Sequence, residues 1–132
     1  MVWHWLTDPE KKTITAEINA IFTAKNRPGG RNGPGATNHC AHGENLKGLT
    51  IETILDWRPF DYLTQEIVDG NKVFHDTYKL EALPNNWGTR LHMYSNMVSM
   101  PLPGWIKRPI LKLVMTKLVL ANFQNIAQLI AK

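Results

Sequence analysis

The sequence predicts an α+β domain, an antiparallel meander of about six strands followed by one long C-terminal helix. Three observations carry this. Between Thr13 and Ser99, apolar residues recur with a period of two in short segments separated by turn-forming clusters. After Trp105 the period becomes helical. Between the two regimes lies Met100-Pro101-Leu102-Pro103-Gly104, where two prolines and a glycine end any strand ladder. A chain of 132 residues builds one hydrophobic core, so a single domain over residues 1–132 is expected.

Val2–Leu6 is short and aromatic and reads as a helix fragment. Thr7 or Asp8 can cap a following helical turn through Pro9, Glu10 and Lys11. Thr13–Ala24 is expected as a strand with a dry face, Ile14, Ala16, Ile18, Ala20 and Phe22 opposing Thr15, Glu17, Asn19 and Ile21. Asn26–Gly35, with four glycines and two prolines, is loop by composition. Further strands are expected at Ala36–Gly43, Leu49–Trp57, Phe60–Val68, Val73–Leu83 and Thr89–Ser99. Pro59 marks a tight turn, because it fixes its own φ and pushes Arg58 out of the helical region. Asp69-Gly70-Asn71 and Pro84-Asn85-Asn86-Trp87-Gly88 mark two more. From Trp105 onward, Ile106, Ile110, Leu113, Val114 and Leu118 form one apolar row, and Leu111, Met115, Val119, Phe123, Ile126 and Ile130 widen it. A helix this apolar is expected to be embraced by the sheet.

The net charge of +4 is unevenly placed. Trp105–Lys132 holds Lys107, Arg108, Lys112, Lys117 and Lys132 without an acid, which is +5; the rest has ten basic against eleven acidic residues, which is −1. Basic residues confined to one segment, with few aromatics among them, argue against a nucleic-acid binder. Lysines on the solvent side of a packed helix are the simplest reading, and transient contact with a membrane the sharper one. No apolar run approaches the ~20 residues of a membrane span. Nor does a charged segment followed by an apolar one open the sequence, and Cys40 has no partner for an internal disulfide. A soluble protein in a reducing cytoplasm is therefore expected.

His39, Cys40, His42 and Glu44 are all metal-ligand types. Strand alternation disperses them, with Cys40, His42 and Glu44 on one face in a row about 7 Å apart and His39 on the other. No metal site and no cofactor are expected. Cys40 reads as a buried small hydrophobe because no third group orients a Cys40–His42 pair. The Pro28–Gly35 loop lacks the lysine and hydroxyl of a phosphate-binding loop. Asp56, Arg58 and Asp61 are expected to pin their turn with an exposed ion pair worth under ~1 kcal/mol.

Five segments carry a resemblance: WHWLTDP (Trp3–Pro9), the glycine-rich loop leading into NHCAHGE (Asn38–Glu44), DWRPFDYLT (Asp56–Thr64), LPNNWGTRL (Leu83–Leu91) and the long final helix. Together they resemble the START/Bet v 1-like (SRPBCC) superfamily, nearest to its bacterial polyketide cyclase/dehydrase-type and lipid-transport-like members. The resemblance implies a helix-grip fold, with a curved sheet wrapped around the C-terminal helix and a cavity between them for a hydrophobic or amphipathic small molecule. The family's first strand has no counterpart ahead of Val2: either the start is truncated, or another chain contributes a strand, or the sheet has six strands with an open edge that invites pairing with a second copy. The inward-facing candidates for ligand binding are Phe22, Phe60, Tyr62, Tyr78, Leu80, Leu91, Met93, Ser95, Met97, Val114, Met115 and Leu118. Binding is the favoured function. An enzyme of cyclase or hydratase type, with His42, His75 or His92 as general base, is the alternative. A regulatory module like those associated with adenylate cyclase domains is a third.

Overall fold

The computed structural model describes residues 2–16 and 19–132, with the side chains at 107 and 108 excepted. Two short helices, α1 (Val2–Thr7) and α2 (Pro9–Thr15), lead into six strands: β1 (Ala20–Ala24), β2 (Thr37–His42), β3 (Gly48–Arg58), β4 (Tyr62–Asp69), β5 (Lys72–Ala82) and β6 (Thr89–Ser99). One long helix, α3 (Gly104–Ala131), closes the chain. The strands form one antiparallel sheet in sequence order, with β1 and β6 at its edges. The expected α+β meander with a terminal helix is therefore present as an open sheet of six strands.

The expected strand Thr13–Ala24 is overturned in its first part. Asp8 accepts a hydrogen bond from the Glu10 amide at 3.0 Å, and Pro9 occupies the first helical position, so a helix starts and runs to Thr15. β-branched residues at 13–15 bias toward a strand, but a cap and tertiary contacts outweigh a weak propensity. Thr13 and Thr15 send their hydroxyls back to the Pro9 and Lys12 carbonyls, which turns two strand-formers into helix partners. Only Ala20–Ala24 is strand, and Glu17 and Ile18 of that stretch lie outside the described residues.

The core gathers at one end of the sheet. Trp3, Ala36, Ile54 and Leu63 are buried together, with Trp57, Tyr78 and Leu80 against them. Burying a leucine as fully as Leu63 contributes roughly 1.5–3 kcal/mol. Trp3 lies 5.4 Å from Trp57 and 5.8 Å from Phe60, ring centre to ring centre, so the aromatic N-terminal segment and the β3–β4 turn are one packing unit. Trp57 reaches this core through a bulge. Ile54 pairs with Gln65 but Asp56 pairs with Thr64, so Leu55 is the extra residue and the alternation shifts by one. The turn beyond it is tied by the Arg58–Asp61 ion pair at 3.2 Å, as the charges there imply.

Helix α3 departs from the expected embrace. Its C-terminal half packs: Ile126 is buried, the Phe123 ring meets Tyr78 edge-on at 6.2 Å, and the Asn125 amide donates to the Thr15 carbonyl at 3.5 Å. Its N-terminal half lies beside β6 with much of its apolar surface in solvent, Leu113 at 65% and Val114 at 48% exposure. Residues Pro109–Ala131, with a mean hydropathy of 1.2, are long and apolar enough by length and composition to cross a membrane. No uninterrupted apolar run shows this, because lysine, asparagine and glutamine punctuate the segment.

Candidate functional site

Alternation from the buried residues outward identifies the concave face. Phe74 and Asp76 on β5 are buried and stand in register with Met97 and Ser95 on β6. Gln65 on β4 lies opposite Asp76, and Glu52 on β3 shares that face. The floor beneath α3 is thus polar: Asn38, Glu52, Gln65 and Asp76 are all buried. Each is partnered, as burial demands. Lys12 on α2 pairs with Glu52 while its ammonium stands 4.6 Å from the centre of the Phe22 ring. Arg27 donates to Asn38. Gln65 and Tyr78 hydrogen-bond through their side chains, and Ser95 donates to Asp76.

Electrostatics makes these groups one unit. Burial pushes the Asp76 carboxyl above the usual carboxylate range, the Ser95 hydrogen bond opposes this, and the Glu52 charge reinforces it. Burial likewise raises the Tyr78 phenol well above its ordinary value, helped by Asp76 and Glu52. The Cys40 thiol, 6% exposed, is pushed up to about 11, by burial first and Glu52 second. It is a core thiol and not a nucleophile at neutral pH, in line with the expectation from its setting.

Above this floor, β6 and α3 bound two adjoining open clefts that share Ser95 and Met115. One, of about 400 Å³, is lined by Phe74, Ser95, Asn96, Met97, Leu111, Lys112 and Met115. The other, of about 330 Å³, is lined by Leu91, Met93, Ser95, Met115, Thr116, Val119, Leu120 and Phe123. The space enclosed under the packed half of α3, among Lys12, Phe22, Gln65, Tyr78 and Phe123, is only about 50 Å³. The roomy site is therefore a groove at the β6 edge, not a sealed chamber between sheet and helix.

Of the residues expected to face a ligand, Leu91, Met93, Ser95, Met97 and Met115 line the groove. Phe22 and Tyr78 line the small enclosed space, and Leu80 packs on the core. The others are corrected. Phe60 sits at the β3–β4 turn with φ 68° and is 63% exposed, its ring tilted against Trp3 and edge-on to His4. Tyr62 alternates away from Leu63 and donates to Asp56 at 2.8 Å. The turn's left-handed residue leaves Phe60 exposed, and β4's own alternation sets Tyr62 on the face opposite buried Leu63. Val114 and Leu118 are 48% and 51% exposed and do not line the groove, because α3 presents the Leu111-Met115-Val119 stripe instead.

The candidate general bases are also located. His75 pairs with Glu66 at 3.0 Å and His92 with Glu81 at 2.8 Å, all on the convex face. His42 is concave but distant along the sheet, bonded to Thr50 at 3.0 Å on the β2–β3 pair. None of the three lines the groove. Glu44 leaves the strand altogether: Gly43, at φ 78°, turns the chain into a short 3-10 turn, so Glu44 does not continue the row of Cys40 and His42. Among the described residues, no three His, Cys, Asp or Glu side chains gather as metal ligands.

The polar floor is what reading the sequence missed, although its signal is present. Phe74, Asp76, Tyr78 and Leu80 alternate on one strand, as do Leu63, Gln65 and Ile67 on another, so extending the dry rows by one step places Asp76 and Gln65 inside. In comparison with known proteins, no family model matches the chain, and no curated protein or solved structure matches it either.

Proposed function

We propose that this domain binds an amphipathic small molecule in the groove between β6 and α3. The observation that carries the reading is the convergence of apolar walls on one buried-backed hydroxyl: Leu91, Met93, Met97 and Met115 surround Ser95, which leans on Asp76. Apolar walls with a few placed polar groups are the usual form of a small-molecule site. Methionines on three sides suit ligands of varied shape.

The hydrogen-bond inventory defines the head group. Ser95 donates its proton to Asp76 and keeps acceptor capacity toward the groove. A ligand hydroxyl or amine satisfies it. Lys112 at the rim of the same cleft adds a cation for an acidic substituent. Likeness to lipid-transport-like START/Bet v 1 proteins in segment order supports the same reading.

Titration calorimetry with dodecanol, a long-chain alcohol, tests it. Saturable uptake by the native protein is expected, weakened about fivefold in Ser95→Ala for one lost hydrogen bond of about 1 kcal/mol. Met115→Lys, which sets a charge in the wall, is expected to abolish it. Absence of uptake, or uptake indifferent to both substitutions, refutes the proposal.

A further inference from the structure

We infer that the N-terminal half of α3 docks this domain on an anionic lipid surface, lying along it. The helix is 28 residues long, which at 1.5 Å per residue is about 42 Å. Its inward stripe, Leu111, Met115 and Val119, lines the groove, and Ile126 is buried. Away from that stripe the helix is also apolar: Trp105 is 80% exposed and Leu113 65%, with Ile110, Val114 and Leu118 all about half exposed. A continuous solvent-facing row of this kind marks a surface that something covers.

Charge selects the occupant. From Trp105 to Lys132 the chain carries Lys107, Arg108, Lys112, Lys117 and Lys132 and no acid. A second copy packed on this helix by two-fold symmetry would bring two acid-free, basic segments together, because an isologous contact joins identical patches. Two carboxylates of the convex face are already engaged, Glu66 by His75 and Glu81 by His92 and Arg90. Phosphate head groups of a bilayer supply both the negative charge and the apolar layer, and an exposed tryptophan at the helix start suits the boundary between them. Lying on the surface is favoured over crossing it. Lys112, Lys117, Asn122, Gln124 and Gln128 recur along the segment, and its inward stripe is already committed to the domain.

Co-sedimentation of the whole chain with phosphatidylcholine vesicles, with and without phosphatidylglycerol, tests this. Binding is expected only with the anionic lipid, falling as salt is raised. Each lysine near such a surface contributes about fivefold, so Lys117→Gln, outside the groove lining, is expected to weaken partitioning about fivefold. Leu113→Asp is expected to abolish it while leaving circular dichroism and Tm as in the native protein, because that side chain is in solvent. Four results overturn the inference: no binding, equal binding to neutral vesicles, retention through high salt and alkaline carbonate, which denotes a spanning helix, or a dimer in sedimentation velocity that Leu113→Asp splits.

Discussion

Asp76 is 1% exposed and carries a carboxyl raised by burial, so its ionisation is coupled to folding. Below the pKa of the unfolded side chain, about 3.9, both states hold the proton and the native state bears no desolvated charge. As pH climbs from there through the raised native value, the unfolded chain releases its proton first, so stability falls across that interval and stays lower above it. Asp76→Asn keeps an oxygen for the Ser95 hydroxyl and removes the charge. It is expected to raise Tm by a few degrees at neutral pH and to flatten the mildly acidic part of the stability profile, as thermal melts at a series of pH values would show. A variant less stable at every pH would mean that the ionised carboxylate is a net stabiliser of the Lys12–Glu52–Asp76 unit. The buried row has a natural reading under the proposed function, since a carboxyl that changes protonation also reverses which partner donates in the Asp76–Ser95 bond.

Hairpins show how single residues become element geometry. Gly48 stands in register with His42 where β2 meets β3. A Cβ there would lie 2.6 Å from His42 Cε1 and 2.9 Å from the His42 carbonyl oxygen. The imidazole can swing away, but the carbonyl is backbone and cannot. Gly48→Ala is therefore expected to cost about 1–3 kcal/mol, the range for overpacking, and to break the His42–Thr50 hydrogen bond. Urea denaturation would give the first and the His42 ring resonances the second; an unchanged midpoint with an unchanged ring would show that this hairpin end yields. At the same scale, alternation succeeded on β5 and β6, where pairing is continuous over the middle of the strands, and misled around the β3–β4 turn. There the Leu55 bulge returned Trp57 to the core, while Phe60 stands exposed in the turn and Tyr62 takes the face opposite Leu63. A bulge leaves little trace in composition, so no residue pattern announced it.

Across the whole molecule, burial is lopsided. The core cluster, the polar floor and the C-terminal half of α3 share contacts, whereas the first half of α3 has solvent on one side and an open groove on the other. Local opening follows such differences. Hydrogen exchange in solution is expected to run fastest, among the regular elements, in residues 105–118, and slowest in β3, β4 and β5. Protection of 105–118 equal to that of the central strands, without lipid or ligand present, would show that the helix is held by contacts beyond those of the sheet edge. The order of elements, the turn positions and the helical period after Trp105 were determined by the sequence itself. These depend on residues near one another in the chain: a proline that forbids a ladder, an Asp8 that caps, an apolar row at helical spacing. Only the tertiary structure decided that Thr13–Thr15 is helix, that Asp76 and Gln65 lie beneath α3, and that α3 is covered for half its length. Each of these turns on partners distant in sequence, the Glu52 that receives Lys12, the Ser95 opposite Asp76 and the sheet edge beside Met115, whose meeting no local pattern encodes.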